Sequence, residues 1–470
     1  MPDRAGAARA DVVTIVGGGL AGSEAAWQLA QRGHAVRLHE MRPVRGTAAH
    51  RTDRLAELVC SNTFKSTELA TAHGLLKAEL RELGSLILTA ADEARIAAGS
   101  ALAVDRDVFA AGVTERLLAH PNVTVVREEV TTVPAGPALI ATGPLTSDAL
   151  AESLRERLGT TSLAFYDAIA PVVSDDSIDH SIVFRASRYG KETMEGADEE
   201  GAYLNAPMTA EEYEAFIEAL SSADQHQAHA FDEVPYFEGC MPVEEMASRG
   251  RETLRFGPLK PVGLQDPRTG RTPHAVVQLR REDRTGRMWN LVGFQTRLRI
   301  PEQQRVFRMI PGLADAEFLR YGSIHRNSYV NTPAVLSETL ALRDDPMVLL
   351  AGQVTGVEGY TESTATGMLA GINIARMLAG ESPVLPPTTT MLGALYRHLR
   401  EADPAHFQPM NANFGLLDEL GARVRDKREK KERMAARALE ALRAWRDQQS
   451  VSTPDRIVPV TRAADALVGA

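Results

Sequence analysis

The chain has 470 residues, 44% of them apolar and 5% aromatic, and carries a formal net charge of −10. That length exceeds what a single core supports, so two domains are expected, and the acidic balance leaves nucleic-acid binding to local basic patches. Two cysteines exclude a disulfide framework and suit a reducing cytoplasm, and no apolar run approaches the ~20 residues that span a bilayer.

The stretch from Met1 to Asp11 holds Asp3, Arg4, Arg9 and Asp11 without an apolar core, and reads as a loose tail rather than a signal peptide. Val12 to Val16 is a β-branched run expected to form a buried parallel strand. Gly17-Gly18-Gly19-Leu20-Ala21-Gly22 follows, then a helix over Ser23 to Arg32 with Gly33 as its stop signal. A second strand, Ala35 to His39, ends at Glu40. Helical patterns dominate Leu55 to Arg95, and strand character returns over Val123 to Val133 and Ala138 to Ile140. Ser174 to Glu212 is charged and loop-rich, and from there to Val330 the βαβ rhythm is missing. It resumes with a strand over Met347 to Leu350 and a helix over about Ser363 to Leu378.

Gly17, Gly19 and Gly22 satisfy G-x-G-x-x-G between a strand and a helix. The first permits the tight turn, the second lets the backbone approach a pyrophosphate at the helix N-terminus, and the third lets helix and strand pack closely. Glu40 falls 23 residues after Gly17, where a carboxylate can hold a ribose diol. The loop, including Gly18, Leu20 and Ala21, is therefore expected to bind a dinucleotide. Two later turns favour FAD over NAD: Thr142-Gly143 after one strand, and Gly352-Gln353 after another. No second G-x-G-x-x-G appears, so a nicotinamide would visit only transiently. The expected architecture is α/β: a Rossmann-like, discontinuous FAD-binding domain over 1–175 and 331–447, an inserted α+β domain over 176–330, and a tail over 448–470.

Several motifs go further. Val16 to Glu24 (VGGGLAGSE), Glu40-Met41-Arg42-Pro43, Leu58 to Ser66 (LVCSNTFKS), Ala103 to Phe109 (AVDRDVF), Phe237 to Met246 (FEGCMPVEEM), Phe294 to Arg299 (FQTRLR), His325 to Asn331 (HRNSYVN) and Ala351 to Tyr360 (AGQVTGVEGY) resemble the TrmFO family of folate- and FAD-dependent tRNA uracil-5-methyltransferases. The resemblance implies methylation at carbon 5 of a T-loop uridine, position 54. The one-carbon donor is methylenetetrahydrofolate and the electrons come from NADH or NADPH by way of FAD. It adds Arg42, Gly359 and Tyr360 to the cofactor side, and implies tRNA and folate as partners, with no membrane and no protein partner. MnmG-like modification of wobble uridines is the alternative within this chemistry, although such a chain is expected to be longer, with a further C-terminal helical domain. A flavin oxidoreductase acting on a small molecule is the alternative outside it.

Carbon 5 of uracil is a poor nucleophile, and a thiolate adding at carbon 6 turns the ring into an enolate that attacks an electrophilic carbon. Only Cys60 and Cys240 can supply it, and both lie in polar or Gly/Pro contexts rather than apolar runs. By resemblance Cys240 adds to the uracil while Cys60 lies near the flavin, and the two roles could be exchanged. No residue pattern suggests a metal, and His325 has no partner at ligand spacing. RNA affinity needs clustered cations. Arg423 to Arg446 holds ten Arg or Lys against four acids, and Arg280 to Arg308 holds eight Arg against three. In the second cluster Trp289 and Phe294 could stack on bases. Arg297 and Arg299 are expected to bind substrate, either the RNA or the glutamate tail of folate.

Overall fold

The computed structural model describes residues 12–47, 49–159, 163–191, 194, 201–226, 241–421 and 423–454, with the backbone alone for 163–169 and 323–328. Five strands form a parallel sheet in the order Val348–Leu350, Ala138–Ile140, Val13–Val16, Val36–His39, Val123–Val126. Val348–Leu350 and Ala138–Ile140 are aliphatic and fully buried, whereas Val36–His39 exposes Arg37 and the edge strand Val123–Val126 buries only Val123. The first and last of the βα units meet: helix Leu20–Gln31 packs along helix Tyr360–Leu378. The approach is close enough that a Cβ on Gly367 would lie 2.2 Å from the carbonyl oxygen of Ala21. Residues 340 positions apart thereby open their helices toward the same point.

Both helices start earlier than the side-chain pattern suggests, at Leu20 and Tyr360. In each case a glycine, Gly19 or Gly359, is the N-cap, so the turn residues themselves run straight into the helix. A small antiparallel sheet of Thr63–Ser66, Ala101–Val104 and Arg95–Ile96 sits beside the helices Ala72–Glu82 and Leu86–Glu93.

The middle of the chain forms a six-stranded antiparallel sheet: Phe184–Arg185, Tyr203–Met208, Ala275–Arg281, Met288–Leu291, Val172–Ser174, Phe318–Arg320. It begins at Val172, a few residues ahead of the expected break at 176. An antiparallel ribbon of Leu163–Ile169 with Ser323–Tyr329 carries the chain out of the parallel sheet and back. One face of the six-stranded sheet packs Leu204, Val277, Leu279 and Leu291 on Tyr213 and Phe216 of helix Ala210–Ser221, a core separate from that of the parallel sheet. The charged C-terminal helix Lys427–Gln448 buries Met434, Ala438, Leu442 and Trp445 in the first core. Val451 is buried there too, so the chain through 454, expected as a loose tail from 448, is still docked. Among the described residues no helix is long and apolar enough to cross a membrane.

Candidate active site

A cavity of about 360 Å³ runs from the glycine turn to the inserted sheet. At one end Gly17, with φ +106°, makes a turn where a Cβ would lie 2.5 Å from the carbonyl oxygen of Ala141. A Cβ on Gly22 would lie 1.9 Å from the carbonyl oxygen of Gly17. A Cβ on Gly19, by contrast, would meet no atom within 4 Å. The helix starts there with no side-chain cap, so the open cradle beside its N-terminus fits a pyrophosphate. Leu20 and Ala21 line the same wall.

Glu40 follows the second strand directly at this end of the cavity, and its carboxylate accepts from the backbone N–H of Gly18 at 3.2 Å. Arg42 also donates to it, from Nε at 2.9 Å and from Nη2 at 3.1 Å. Burial pushes the Glu40 carboxyl up, but the hydrogen bonds and charge of Arg42 outweigh it and hold the group below its ordinary value. Arg42 spends its remaining donors on Glu57 and on the carbonyls of Thr52 and Arg54. It braces the Glu40 carboxylate. Thr142 and Gly143 close the cavity from the strand Ala138–Ile140, and Gly352 and Gln353 from the strand Val348–Leu350. Gly352 takes φ +80° and donates its N–H to Oγ1 of Thr366 at 2.8 Å. The cradle, the carboxylate and these turns together fit FAD.

At the other end lies Cys60. Its backbone N–H and that of Ser61 both donate to the Tyr360 hydroxyl at 3.0 Å, and this hydroxyl donates to the Ser61 carbonyl at 2.9 Å. Burial is the main reason the Tyr360 phenol is pushed well above its ordinary value, which keeps it a neutral donor. Gly359, at φ +116°, permits the turn that aims Tyr360 at the loop. Arg106 donates to the carbonyls of Leu58 and Cys60 and forms an ion pair with Glu282 of the inserted domain at 2.7 Å. Burial works against the charge on Glu282, yet Arg106 and then Arg320 hold its carboxyl below the ordinary value. Asn62 completes the clasp: its amide donates to the Arg281 carbonyl at 2.8 Å and its oxygen accepts from Nε of Arg280 at 2.9 Å. Sequence reading found the cysteine but missed Asn62, Arg106, Arg280 and Glu282. Their only trace was membership of the LVCSNTFKS and AVDRDVF motifs, or of a cluster read as a phosphate binder.

Cys240 lies outside the described residues. The segment after it is anchored: Val243 N–H donates to the Gln295 carbonyl at 2.7 Å, and Gln295 lines the cavity. Arg297 and Arg299 are not brought to that cavity. The Arg297 side chain pairs with Glu245 at 3.3 Å and Arg299 with Asp224 at 3.5 Å. The stacking expected of Trp289 and Phe294 is overturned, because both are buried in the core of the inserted domain. Trp289 donates its indole N–H to Asp175 and lies beneath Arg281, 5.7 Å from its ring centroid. On the C-terminal helix, Arg428–Glu432 and Arg433–Glu429 form i,i+4 pairs, and Arg443 pairs with Glu82. Among the described residues no group of three or more His, Cys, Asp or Glu could hold a metal.

The family model for glucose inhibited division protein A matches residues 12–382. The methylenetetrahydrofolate–tRNA-(uracil-5-)-methyltransferase TrmFO of Geobacter sulfurreducens is 59% identical, over 92% of this chain and 98% of that protein. The protein of the same name from Bacillus licheniformis is 53% identical, again over 92% and 98%. Among solved structures, Aquifex aeolicus GidA in its form I crystal superposes with a TM-score of 0.67 at 17% identity, covering 93% of this chain and 77% of that one. That likeness shows a shared fold. The chain belongs to the glucose inhibited division protein A family, and within it to the TrmFO group.

Proposed function

We infer that this protein is a methylenetetrahydrofolate–tRNA-(uracil-5-)-methyltransferase, which transfers a one-carbon unit to carbon 5 of a T-loop uridine, position 54, in tRNA. The observation that carries this is the 59% identity across 92% of the chain to a protein of that name. The two-ended cavity gives it a physical basis. FAD, when bound, supplies the relay for the methylene carbon and the electrons that reduce it to methyl, and NADH or NADPH recharges it.

The chain's own residues hold and orient. Gly17 to Gly22 and Glu40 bind the dinucleotide end, with Arg42 bracing Glu40. Thr142, Gly143, Gly352 and Gln353 carry the cavity walls toward the reacting end. Cys240 adds through sulfur to carbon 6 of the target uracil, and the support for its reach is the Val243–Gln295 bond three residues on. Cys60, fixed by Tyr360 and Arg106, shelters the reacting carbon at the other wall. The uridine must leave its loop stack to enter, at a cost of about a few kcal/mol. We assign the parallel-sheet part to cofactor binding and the inserted part to substrate, and place the protein in the cytoplasm, where its two cysteines stay reduced.

Purified protein given label in the methylene of methylenetetrahydrofolate, NAD(P)H and unmodified tRNA should place that label on carbon 5 of a T-loop uridine. Label at a wobble uridine would favour the MnmG-like reaction. Flavin turnover without RNA, leaving no label in tRNA, would favour a small-molecule oxidoreductase.

A further inference from the structure

The inserted sheet turns one polar face toward the parallel-sheet domain and buries it. Register sets Arg280 opposite both Tyr203 and Asn290, and Asn290 opposite Val172, so their side chains share one face. Strand alternation adds Gln278 and Glu282 to that face. Gln278, Arg280, Glu282 and Asn290 are all at most 7% exposed. A one-sided antiparallel sheet usually shows such a face to water. Here it roofs the cavity.

Most of these buried polar groups are matched within the protein. Gln278 donates to Asn205 at 2.9 Å and accepts from Arg188 at 2.8 Å, and Glu282 is paired with Arg106. Two donors are not spent. Among the described residues the amide nitrogen of Asn290 has no hydrogen-bond partner, and the side chain of Arg280 bonds only through Nε, to Asn62. Both residues line the cavity, next to Val292, Gly293 and Gln295. An unmatched buried donor is costly enough that native proteins keep few, and those at a cavity wall are matched by what the cavity holds.

We propose that Arg280 and Asn290 form a donor pair that receives the carbonyl oxygen of a ring lactam, the –CO–NH– unit shared by uracil and the pterin of folate. This rests on the function proposed above. On uracil the pair would also act in the chemistry. As the sulfur–carbon 6 bond forms, the carbon 5–carbon 6 π pair moves through carbon 4 onto its oxygen, and no group leaves. A guanidinium and an amide N–H fixed at that oxygen stabilise the charge where it develops. On pterin the same pair would fix ring orientation alone.

The test uses FAD-loaded Asn290→Ala and Arg280→Lys proteins with two measurements. One titrates tetrahydrofolate against the flavin absorbance without RNA. The other takes kcat and KM for tRNA at saturating methylenetetrahydrofolate. A loss of about 10- to 100-fold in folate affinity assigns the pair to pterin. A similar loss in kcat with folate affinity unchanged assigns it to uracil, and either result supports the proposal. Both variants staying within about twofold of wild type in both measurements would overturn it. Should Arg280→Lys lose its FAD, Asn290→Ala decides, since that change breaks no side-chain hydrogen bond among the described residues. A wild-type enzyme that transfers no label to tRNA would instead sink the function above; the folate titration, which needs no turnover, would then decide alone, and an unchanged folate affinity would overturn the pair.

Discussion

At one end of the cavity, residues 13–40 build the dinucleotide cradle almost unaided: a strand, a glycine turn, a helix and a second strand followed by a carboxylate. At the other, the Cys60 loop is held by Tyr360, 300 residues later in the chain, and by Arg280, 218 residues later. The first end is largely backbone geometry, and at Gly17 and Gly22 it leaves no room for a Cβ. The second is a network of buried side chains, and two of its links, Asn62–Arg280 and Arg106–Glu282, exist only once the inserted sheet has docked. Cofactor binding and catalysis should therefore fail separately.

The largest expected effect is at the cradle. In Gly19→Val the new side chain meets only the open cradle, so the protein should fold with near-normal circular dichroism yet retain no flavin. Gly22→Val should differ, because its Cβ would lie 1.9 Å from the Gly17 carbonyl oxygen and the turn itself must break. Equal behaviour of the two variants would contradict the cradle geometry.

Next comes the clasp. Arg106→Gln leaves the Glu282 carboxylate buried without its partner, which costs about 3 kcal/mol or more. The thermal unfolding midpoint should drop, and the Cys60 thiol should alkylate faster as its loop loosens. Unchanged alkylation would mean that Tyr360 alone positions the loop.

The cradle was legible in the sequence because every part of it is local. Gly17, Gly19, Gly22 and Glu40 sit at spacings fixed by one strand, one helix and the next strand. Thr142 and Gly352 could be added because each follows an aliphatic run. The clasp was hidden for the opposite reason. No spacing rule relates Asn62 to Arg280, and the docking of two sheets turned an apparent RNA-binding arginine into a wall of the cavity. Trp289 misled in the same way, since an aromatic amid arginines reads alike whether it faces RNA or a core. The charges of the C-terminal helix are largely paired on its surface, while its apolar stripe holds it to the first domain.

A smaller effect lies away from both ends. Burial pushes the Glu79 carboxyl up to about 8, against the backbone N–H groups of Met391 and Leu392 that it accepts. The folded state thus holds this proton more tightly than the unfolded chain, whose carboxyl titrates near 4.5. Its contribution to stability is full below that value and is lost as pH rises through about 8. Glu79→Gln should flatten the fall in Tm between pH 5 and 8, values set by about those two limits, without changing flavin content. A slope as steep as that of wild type would show that Glu79 is ionised throughout.

The separation of the two ends is tested most directly by one measurement on Cys240→Ala: flavin bound per chain and label reaching tRNA from methylenetetrahydrofolate, read on the same sample. Flavin content equal to wild type with no label in the RNA is the predicted result. Label still arriving at the T-loop uridine would remove Cys240 from the chemistry, and loss of flavin would show that the two ends are one unit.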